Sequence, residues 1–273
     1  MSALEFHDVS IRFGARQILR NASFAIAPGE FVGVLGANGA GKTSLMRASL
    51  GLTPLTGGAI SVLGAPATRG NAAIGYMPQN RAMPAGLRLT GYDFVASSLD
   101  GARWGLPRLD AAQAGQIDRA LDLVGARDLA RRPLNEISGG ERQRLLLSQA
   151  LIGSPRLLLL DEPLISLDPA HQQKIVELVK NLSVELGAAI LFSAHEINPL
   201  LGAIDRVLYL GAGNAVLGAV DEVIVAPVLS KLYGAPIDVV RVAGRIFVMS
   251  GAVDVERDAH RHEHDDHHDH SHA

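Results

Sequence analysis

The chain has 273 residues, of which 48% are hydrophobic and only 4% aromatic, so it is long enough to bury a sizeable core of aliphatic side chains. It contains no cysteine, which excludes disulfides, thiolate metal sites and a cysteine nucleophile. The formal net charge is −3 at pH 7, and because residues 254–273 hold seven acids and two arginines, the rest is nearly neutral and gives no electrostatic argument for nucleic-acid binding.

Short apolar strands alternate with helices through most of the chain. Residues 4–13 alternate apolar and polar side chains as a half-buried strand does, and residues 21–29 predict a second strand that ends at a Pro-Gly turn. The apolar run at 31–36 predicts a strand that leads through a glycine-rich loop into a helix at 44–52, and residues 72–79 predict another strand. This alternation is typical of an α/β fold with a mainly parallel core sheet.

Residues 80–135 differ, because apolar strand runs disappear and charged residues take helical spacing. We therefore expect a helical insertion there, within a helical subdomain at about 80–150 that includes a helix at 142–152. Core elements resume downstream, and the pattern predicts a buried strand, an amphipathic helix and a further strand at 156–163, 171–186 and 188–196.

The last part of the domain is predicted to be a small appendage at about 205–253. A hairpin with a Gly-Asn turn is expected at 205–218, then a helix at 223–234 and a second hairpin at 237–251. Residues 1–253 would therefore form a single domain. After it the composition is dominated by Asp, Glu, Arg and His, which predicts a tail at 254–273 that is disordered without a ligand.

The strongest motif is GANGAGKT at residues 36–43, which follows a predicted strand and opens a helix. It matches the P-loop, in which glycines let backbone N–H groups converge on phosphate oxygens. The pattern places Lys42 on the β- and γ-phosphates and Thr43 on Mg²⁺. The alternative is a simple glycine-rich turn, which the strand-loop-helix context argues against. The predicted ATP-binding residues of this loop are Gly36, Asn38, Gly39, Ala40, Gly41, Lys42, Thr43 and Ser44.

Two acids follow the buried strand LLLL at 157–160. This places carboxylates at the carboxyl edge of the sheet, where ligands bind in open α/β folds. Asp161 suits a position near Mg²⁺, and Glu162 suits the general base that activates the attacking water. A strand that ends in acids is common without any such role, so the argument depends on the P-loop upstream.

A third motif is Ser138-Gly139-Gly140 in front of a predicted helix. One interpretation is an ordinary N-cap, with Ser138 as the capping residue. The other is an anion site, because a helix N-terminus stabilises negative charge and could present N–H groups and the Ser138 hydroxyl to a γ-phosphate.

Together these motifs resemble the ATPase subunits of ABC transporters. The matching elements in chain order are the P-loop, Gln79, SGGERQR at 138–144, LLLLDEP at 157–163, SLD at 166–168 and His195. The family usually has Leu-Ser-Gly-Gly-Gln in the middle motif, where this chain has Ile137 and Glu141 at the first and fifth positions. The resemblance extends over residues 4–250 and implies a P-loop NTPase core with a mainly parallel sheet, an antiparallel β subdomain and a helical insertion.

The resemblance also implies roles for four further residues. Phe13 would stack on adenine in place of the family's usual Tyr, although it could simply pack in the first strand. Gln79 would sit at Mg²⁺ and the attacking water. His195 would contact the γ-phosphate, although a lone His or Gln is more often structural. Asp168 would lie at a dimer interface.

In this family two ATP molecules are buried between two chains. The resemblance therefore implies a homodimer in which Ser138, Gly139, Gly140 and Asp168 of one subunit face the P-loop of the other. It also implies integral membrane permease subunits, a position on the cytoplasmic face of the membrane and, indirectly, an extracytoplasmic metal-binding protein. The permease would dock in a groove between residues 80–135 and the core near Gln79, with Leu87, Leu89, Tyr92 and Phe94 as candidate lining residues. The alternative is that these four side chains form the core of the insertion itself.

No signal peptide is expected in MSALEFHDVS, which lacks a basic segment followed by an apolar one. The longest apolar runs are also far shorter than the ~20 residues that span a bilayer. We therefore expect any role at a membrane to depend on a partner protein, and we expect no nucleic-acid partner.

The tail carries seven of the ten histidines. Neutral imidazole and carboxylate are good ligands for Zn²⁺ and similar ions, so the tail is a candidate metal site. The alternatives are a purification tag and a solvated tail without a role. The candidate ligands are His260, His262, His264, His267, His268, His270 and His272.

The stretch AHEINPL at 194–200 resembles the form seen in ATPases of zinc and manganese importers. Because Zn²⁺ prefers histidine and Mn²⁺ prefers oxygen, we rank zinc first, manganese second, and iron chelates or nickel and cobalt third. The alternatives are a soluble ABC ATPase without a transporter and a metal-buffering protein. The first usually carries coiled coils or two cassettes, and the second leaves the ATPase motifs unexplained.

Overall fold

The computed structural model describes residues 2–79, 89–99 and 109–250. The strands in these ranges are β1 (Leu4–Phe13), β2 (Arg16–Ile26), β3 (Phe31–Leu35), β4 (Gly57–Val62), β5 (Ala65–Pro66), β6 (Ile74–Met77), β7 (Leu157–Leu160), β8 (Ala189–Ser193), β9 (Arg206–Gly211), β10 (Asn214–Gly218), β11 (Ile237–Val242) and β12 (Arg245–Ser250). The α-helices are α1 (Lys42–Ser49), α2 (Gly91–Ala96), α3 (Ala111–Leu123), α4 (Gly139–Leu151), α5 (Pro169–Leu186), α6 (Val220–Val223) and α7 (Ala226–Tyr233).

A six-stranded sheet forms the centre of the fold, in the order β10-β9-β3-β8-β7-β6. All its pairs are parallel except β9 with β10. Every residue of β3, β7 and β8 is buried, as expected for parallel strands that are covered on both faces. The predicted parallel α/β core is therefore confirmed. The carboxyl ends of these three strands meet at one edge, where the P-loop, Asp161 and His195 follow.

The antiparallel β subdomain is confirmed as a second sheet in the order β2-β1-β4-β5. Phe6 and Phe24 stack across β1 and β2 with ring centroids 4.5 Å apart. Strand β2 begins at Arg16 rather than at the predicted residue 21, because its pairing with β1 continues to the Phe13–Arg16 hairpin end. Strands β4 and β5 were not predicted, since the two glycines that open β4 interrupt the apolar alternation.

Helices α2, α3 and α4 pack together around fully buried side chains such as Ile117, Leu121 and Leu145. Of the side chains predicted to line a docking groove, Phe94 belongs to this core and is only 7% exposed, so the alternative of core packing holds for it. Leu89 and Tyr92 are half-buried, and Leu87 lies outside the described residues.

The structure corrects the prediction of a separate appendage at about 205–253. The hairpin β9–β10, predicted as the start of an appendage, belongs to the central sheet, because apolar β9 pairs in parallel with β3. Its turn is Ala212-Gly213 rather than Gly-Asn, and both residues have positive φ, of 46° and 82°, as tight hairpin turns require. The second predicted hairpin is confirmed as β11–β12, a separate two-stranded sheet.

The predicted disorder of residues 254–273 lies outside the described ranges. Among the helices that the structure describes, none is long and apolar enough to cross a membrane.

Candidate active site

The P-loop between β3 and α1 depends on glycine at three positions. Gly36, Gly39 and Gly41 have φ of 142°, 73° and 108°, a region that other residues rarely adopt. A Cβ on Gly36 would lie 2.4 Å from the carbonyl oxygen of Leu210, and one on Gly41 would lie 2.7 Å from Ile18 Cγ2. The loop can therefore fold tightly in front of α1, whose first N–H groups and positive dipole end suit an anion.

A cavity of about 1350 Å³ opens beside this loop. It is lined by all P-loop residues from Gly36 to Ser44, which include every position predicted to bind ATP on this loop. Phe13 also lines it and is half exposed, as an adenine-stacking ring would need to be. The remaining predicted residues in the lining are Gln79, Glu162 and His195.

Lys42 is buried at the first position of α1, with 5% of its side chain exposed. Its Nζ donates to the carbonyl oxygen of Gly36 at 2.8 Å and lies 3.7 Å from Glu162 Oε1. Burial lowers the pKa of Lys42, while the charges of Glu162 and Asp161 act in the opposite direction. The ammonium group is thus held next to the carboxylate at the base of the cavity.

Glu162 connects the predicted catalytic residues. Its Oε2 accepts a hydrogen bond from Gln79 Nε2 and lies 3.0 Å from His195 Nε2. Burial by itself raises the pKa of Glu162, but His195, Lys42 and Gln79 together bring it below its ordinary value. Glu162 is therefore ionised at neutral pH, which is the state that a proton acceptor needs.

The backbone of Glu162 is also unusual, with a φ of 51° in a residue that has a side chain. Its N–H donates to Ser193 Oγ at 2.8 Å, which helps to hold this strained turn at the end of β7. The turn directs the carboxylate of Glu162 to Lys42, Gln79 and His195.

Asp161 fits the role of Mg²⁺ ligand that the family resemblance implies. Its Oδ1 accepts from Ser193 Oγ at 2.9 Å, whereas its Oδ2 is buried and has no hydrogen-bond partner within the described part of the chain. Burial raises the pKa of Asp161, and the hydroxyls of Thr43 and Ser193 act against this. A buried carboxylate oxygen without a partner beside a threonine hydroxyl is the kind of oxygen donor set that Mg²⁺ prefers.

Ser138 caps α4, as the simpler interpretation predicted. Its Oγ accepts from the N–H of Glu141, and Glu141 Oε2 accepts from the N–H of Ser138 at 2.8 Å. These hydrogen bonds, together with Arg132 at 2.5 Å from Glu141 Oε1, lower the pKa of Glu141 to about 2. Glu141 thus keeps its charge, and Arg132 partly offsets this charge at a helix end predicted to face phosphate.

Asp168 caps α5 and accepts hydrogen bonds from the N–H groups of Ala170 and His171 at 3.0 and 3.1 Å. The N-termini of α4 and α5 lie side by side, as shown by the 3.0 Å that would separate a Cβ on Gly140 from the ring of His171. Ser138, Gly139, Gly140 and Asp168 are all described, and none of them lines the cavity of their own chain.

Comparison with known proteins identifies the family. A family model described as ABC transporter matches residues 19–165. The chain is 36% identical over 210 residues to the zinc import ATP-binding protein ZnuC of Cereibacter sphaeroides, which covers 77% of this chain and 79% of that protein. The chain is an ABC transporter ATP-binding protein. ABC transporter ATPases couple ATP hydrolysis to transport and work with membrane permease subunits.

Two further comparisons agree with this assignment. The ZnuC protein of Roseobacter denitrificans is 37% identical over 211 residues, which covers 77% of this ABC ATPase and 76% of its relative. A solved ABC transporter described as of metal-chelate type and inward-facing shares the fold, with a TM-score of 0.75 at 24% identity. The match covers 91% of this chain and 96% of that one.

Two residues of the ABC ATPase site were missed in the sequence. Ser193 is fully buried at the end of β8 and links Asp161 to the backbone of Glu162. Its only signal was its place two residues before His195. Arg16 lines the cavity and donates to the carbonyl oxygen of Gly39 at 2.9 Å, and its signal was a basic residue three positions after Phe13.

Proposed function

We propose that this ABC ATPase powers the import of a divalent transition metal, with zinc as the first candidate. The observation that carries the hydrolytic part is Glu162, a buried carboxylate in contact with Lys42, Gln79 and His195 beside the P-loop. The cargo is supported by the relatives, which are described as zinc import ATP-binding proteins.

In the proposed reaction, water attacks the γ-phosphorus of ATP in line with the leaving phosphate. Glu162 accepts the proton of this water, and Lys42 balances negative charge on the β- and γ-phosphates. Gln79 and His195 contact the carboxylate of Glu162 and thereby orient both Glu162 and the water. Asp161 and Thr43 would hold Mg²⁺, which supplies positive charge to the phosphate oxygens.

The active unit is proposed to be a homodimer. Ser138, Gly139, Gly140 and Asp168 stand outside the cavity of their own chain, so they are available to a second chain. The N-terminus of α4 offers N–H groups and a positive dipole end, and this suits the γ-phosphate bound by a partner's P-loop. ATP would thereby hold two chains together, and hydrolysis would release them.

We infer a position on the cytoplasmic face of the membrane, where the homodimer binds integral permease subunits and acts indirectly with an extracytoplasmic metal-binding protein. Manganese is the second candidate as cargo, and iron chelates or nickel and cobalt are the third. The metal-chelate type transporter shares only the fold at 24% identity, so it does not change this ranking. The family assignment argues against a soluble ATPase without a transporter.

We expect membrane vesicles that contain the complete transporter to take up ⁶⁵Zn²⁺ when ATP is supplied on the ATPase side. The same vesicles assembled with Glu162→Gln should show uptake at the background level, because the proton acceptor is absent. Competition with unlabelled Mn²⁺ and with ferric chelates ranks the cargoes. ATP-dependent uptake of Mn²⁺ or a chelate without zinc uptake would contradict zinc as the cargo.

The tail is proposed to bind Zn²⁺ through its histidines, from His260 to His272. We expect calorimetry to show Zn²⁺ binding by the full chain that is lost on truncation after Gly251, while basal ATP hydrolysis is retained. Ligation requires neutral imidazole, so binding should weaken as pH falls through about 6.5. Mn²⁺ should bind far more weakly.

A matched control keeps the tail and its acids but replaces its seven histidines with glutamine. It separates ligation by imidazole from attraction by the acidic residues, which salt would screen. Equal Zn²⁺ binding by the full, truncated and glutamine chains would show that the tail is not a metal site. That result would remove one of the two reasons for ranking zinc above manganese.

A further inference from the structure

The C-terminal hairpin β11–β12 touches the loop that carries His195. The side-chain amide of Asn198 donates from Nδ2 to the carbonyl oxygen of Ile246 at 3.0 Å, and its Oδ1 accepts from the N–H of Ile246 at 2.8 Å. One side chain therefore satisfies both main-chain groups of a residue in β12, as a neighbouring strand would. The contact joins residues that are 48 positions apart in the chain.

Asn198 is only three residues after His195, and contacts on both sides of His195 restrict the segment that joins them. On one side of His195, the N–H of Ala194 donates to the carbonyl oxygen of Val34 in the P-loop strand at 3.1 Å. On the other side, Ile197 is buried and Asn198 is bound to β12. His195 itself is 42% exposed, so packing around its ring does little to hold it.

The hairpin also reaches the nucleotide cavity. Val248, two residues after Ile246 in the same strand, lines this cavity together with Pro199, the residue that follows Asn198. A displacement of β12 would therefore act on the loop through Asn198 and on the wall of the cavity through Val248.

From these contacts we propose that Asn198 is a positioning residue, and that the C-terminal hairpin braces the His195 loop so that Nε2 of His195 stays at Glu162. The inference rests on the role proposed for His195 in hydrolysis. Breaking the contact would leave an N–H and a carbonyl group of β12 unpaired and would free one end of the loop. Small errors in the position of a catalytic group are costly to turnover, whereas nucleotide affinity depends mainly on the P-loop.

The test is steady-state ATP hydrolysis by the purified full-length chain, with Asn198→Ala, His195→Ala and the double variant. We expect Asn198→Ala to lower kcat by about 10-fold and to change KM for ATP by less than about two-fold. Because Asn198 acts through His195, adding Asn198→Ala to His195→Ala should cost less than about two-fold more. A merely structural role would lower turnover by the same factor in both backgrounds.

Ser230 provides a matched control, since it makes the same kind of paired contact with the other strand. Its Oγ accepts from the N–H of Ile237 at 2.9 Å and donates to the carbonyl oxygen of that residue at 3.3 Å, which joins the hairpin to α7. We expect Ser230→Ala to keep kcat within about two-fold of the unmodified chain. An equal loss of kcat in both single variants would overturn the proposal.

Asn198→Asp covers the case in which the alanine variant does not fold. It keeps the shape and one acceptor but loses the donor to Ile246, so kcat should fall as in Asn198→Ala while the circular dichroism spectrum stays unchanged. Full turnover in a folded Asn198→Asp chain would overturn the inference. Full turnover in His195→Ala would instead remove the proposed role of His195, and the inference with it.

Discussion

Replacement of Glu162 by glutamine is expected to lower the turnover of ATP by a factor on the order of 10²–10⁴. The change keeps the size of the side chain and removes the carboxylate that accepts a proton from water. It also removes the negative charge 3.7 Å from the buried Lys42 ammonium, which leaves Lys42 free to pair with phosphate. ATP binding should therefore persist and hold the dimer together, because no product is formed to release it.

The measurement is phosphate release at saturating ATP, together with the mass of the ATP-bound species in solution. Glu177→Gln is the matched control, since it makes the same chemical change on an exposed position of α5. Its turnover should equal that of the unmodified chain. Full turnover with Glu162→Gln would remove Glu162 from the role of general base, whatever the control shows.

Mixing two inactive variants should restore hydrolysis if the active site is shared between chains. Lys42→Ala removes the ammonium group from the P-loop, and Ser138→Arg places a long cation at the helix end that should face the partner's phosphate. Each variant alone has two damaged sites in its homodimer. In a mixed dimer one site carries both changes and the other carries neither, so statistical mixing should return about a quarter of the unmodified turnover.

Occluded nucleotide provides a second measurement that does not require turnover. With a non-hydrolysable ATP analogue, a mixed dimer should trap one nucleotide molecule, whereas homodimers of the Lys42→Ala chain should trap far less. If mixed dimers form and show neither turnover nor a trapped nucleotide, the shared site is contradicted. The control is each variant taken alone through the same mixing procedure, which reveals activity that comes from refolding or from contamination.

Much of the site could be predicted from the sequence because its parts are contiguous. Three parts of the site are short runs next to a strand or helix, namely the P-loop, Asp161-Glu162 and Ser138-Gly139-Gly140. The backbone geometry of such runs is set locally. The parallel core followed from the same logic, since strands such as β7 are wholly apolar. The antiparallel sheet was expected only from the family resemblance, and β4, which opens with two glycines, gave no such pattern.

The order of the strands in the central sheet could not be predicted from the local sequence pattern. Strand β9 looked like half of a separate hairpin, and only its pairing with β3 shows that it belongs to the central sheet. Nothing in the run RVLYLG distinguishes the two cases, because an apolar strand buries equally well in either sheet. The choice is made by the free edge that β3 offers.

The sequence by itself determined which groups can bind phosphate, hold a metal and accept a proton, because these properties belong to the side chains and to the turns beside them. The tertiary structure decided how they meet. It brought Gln79, Lys42 and His195 to one carboxylate, placed Ser193 between the two acids, and joined Asn198 to β12. These contacts join residues far apart in the chain, and their geometry depends on how the strands pack rather than on any local preference.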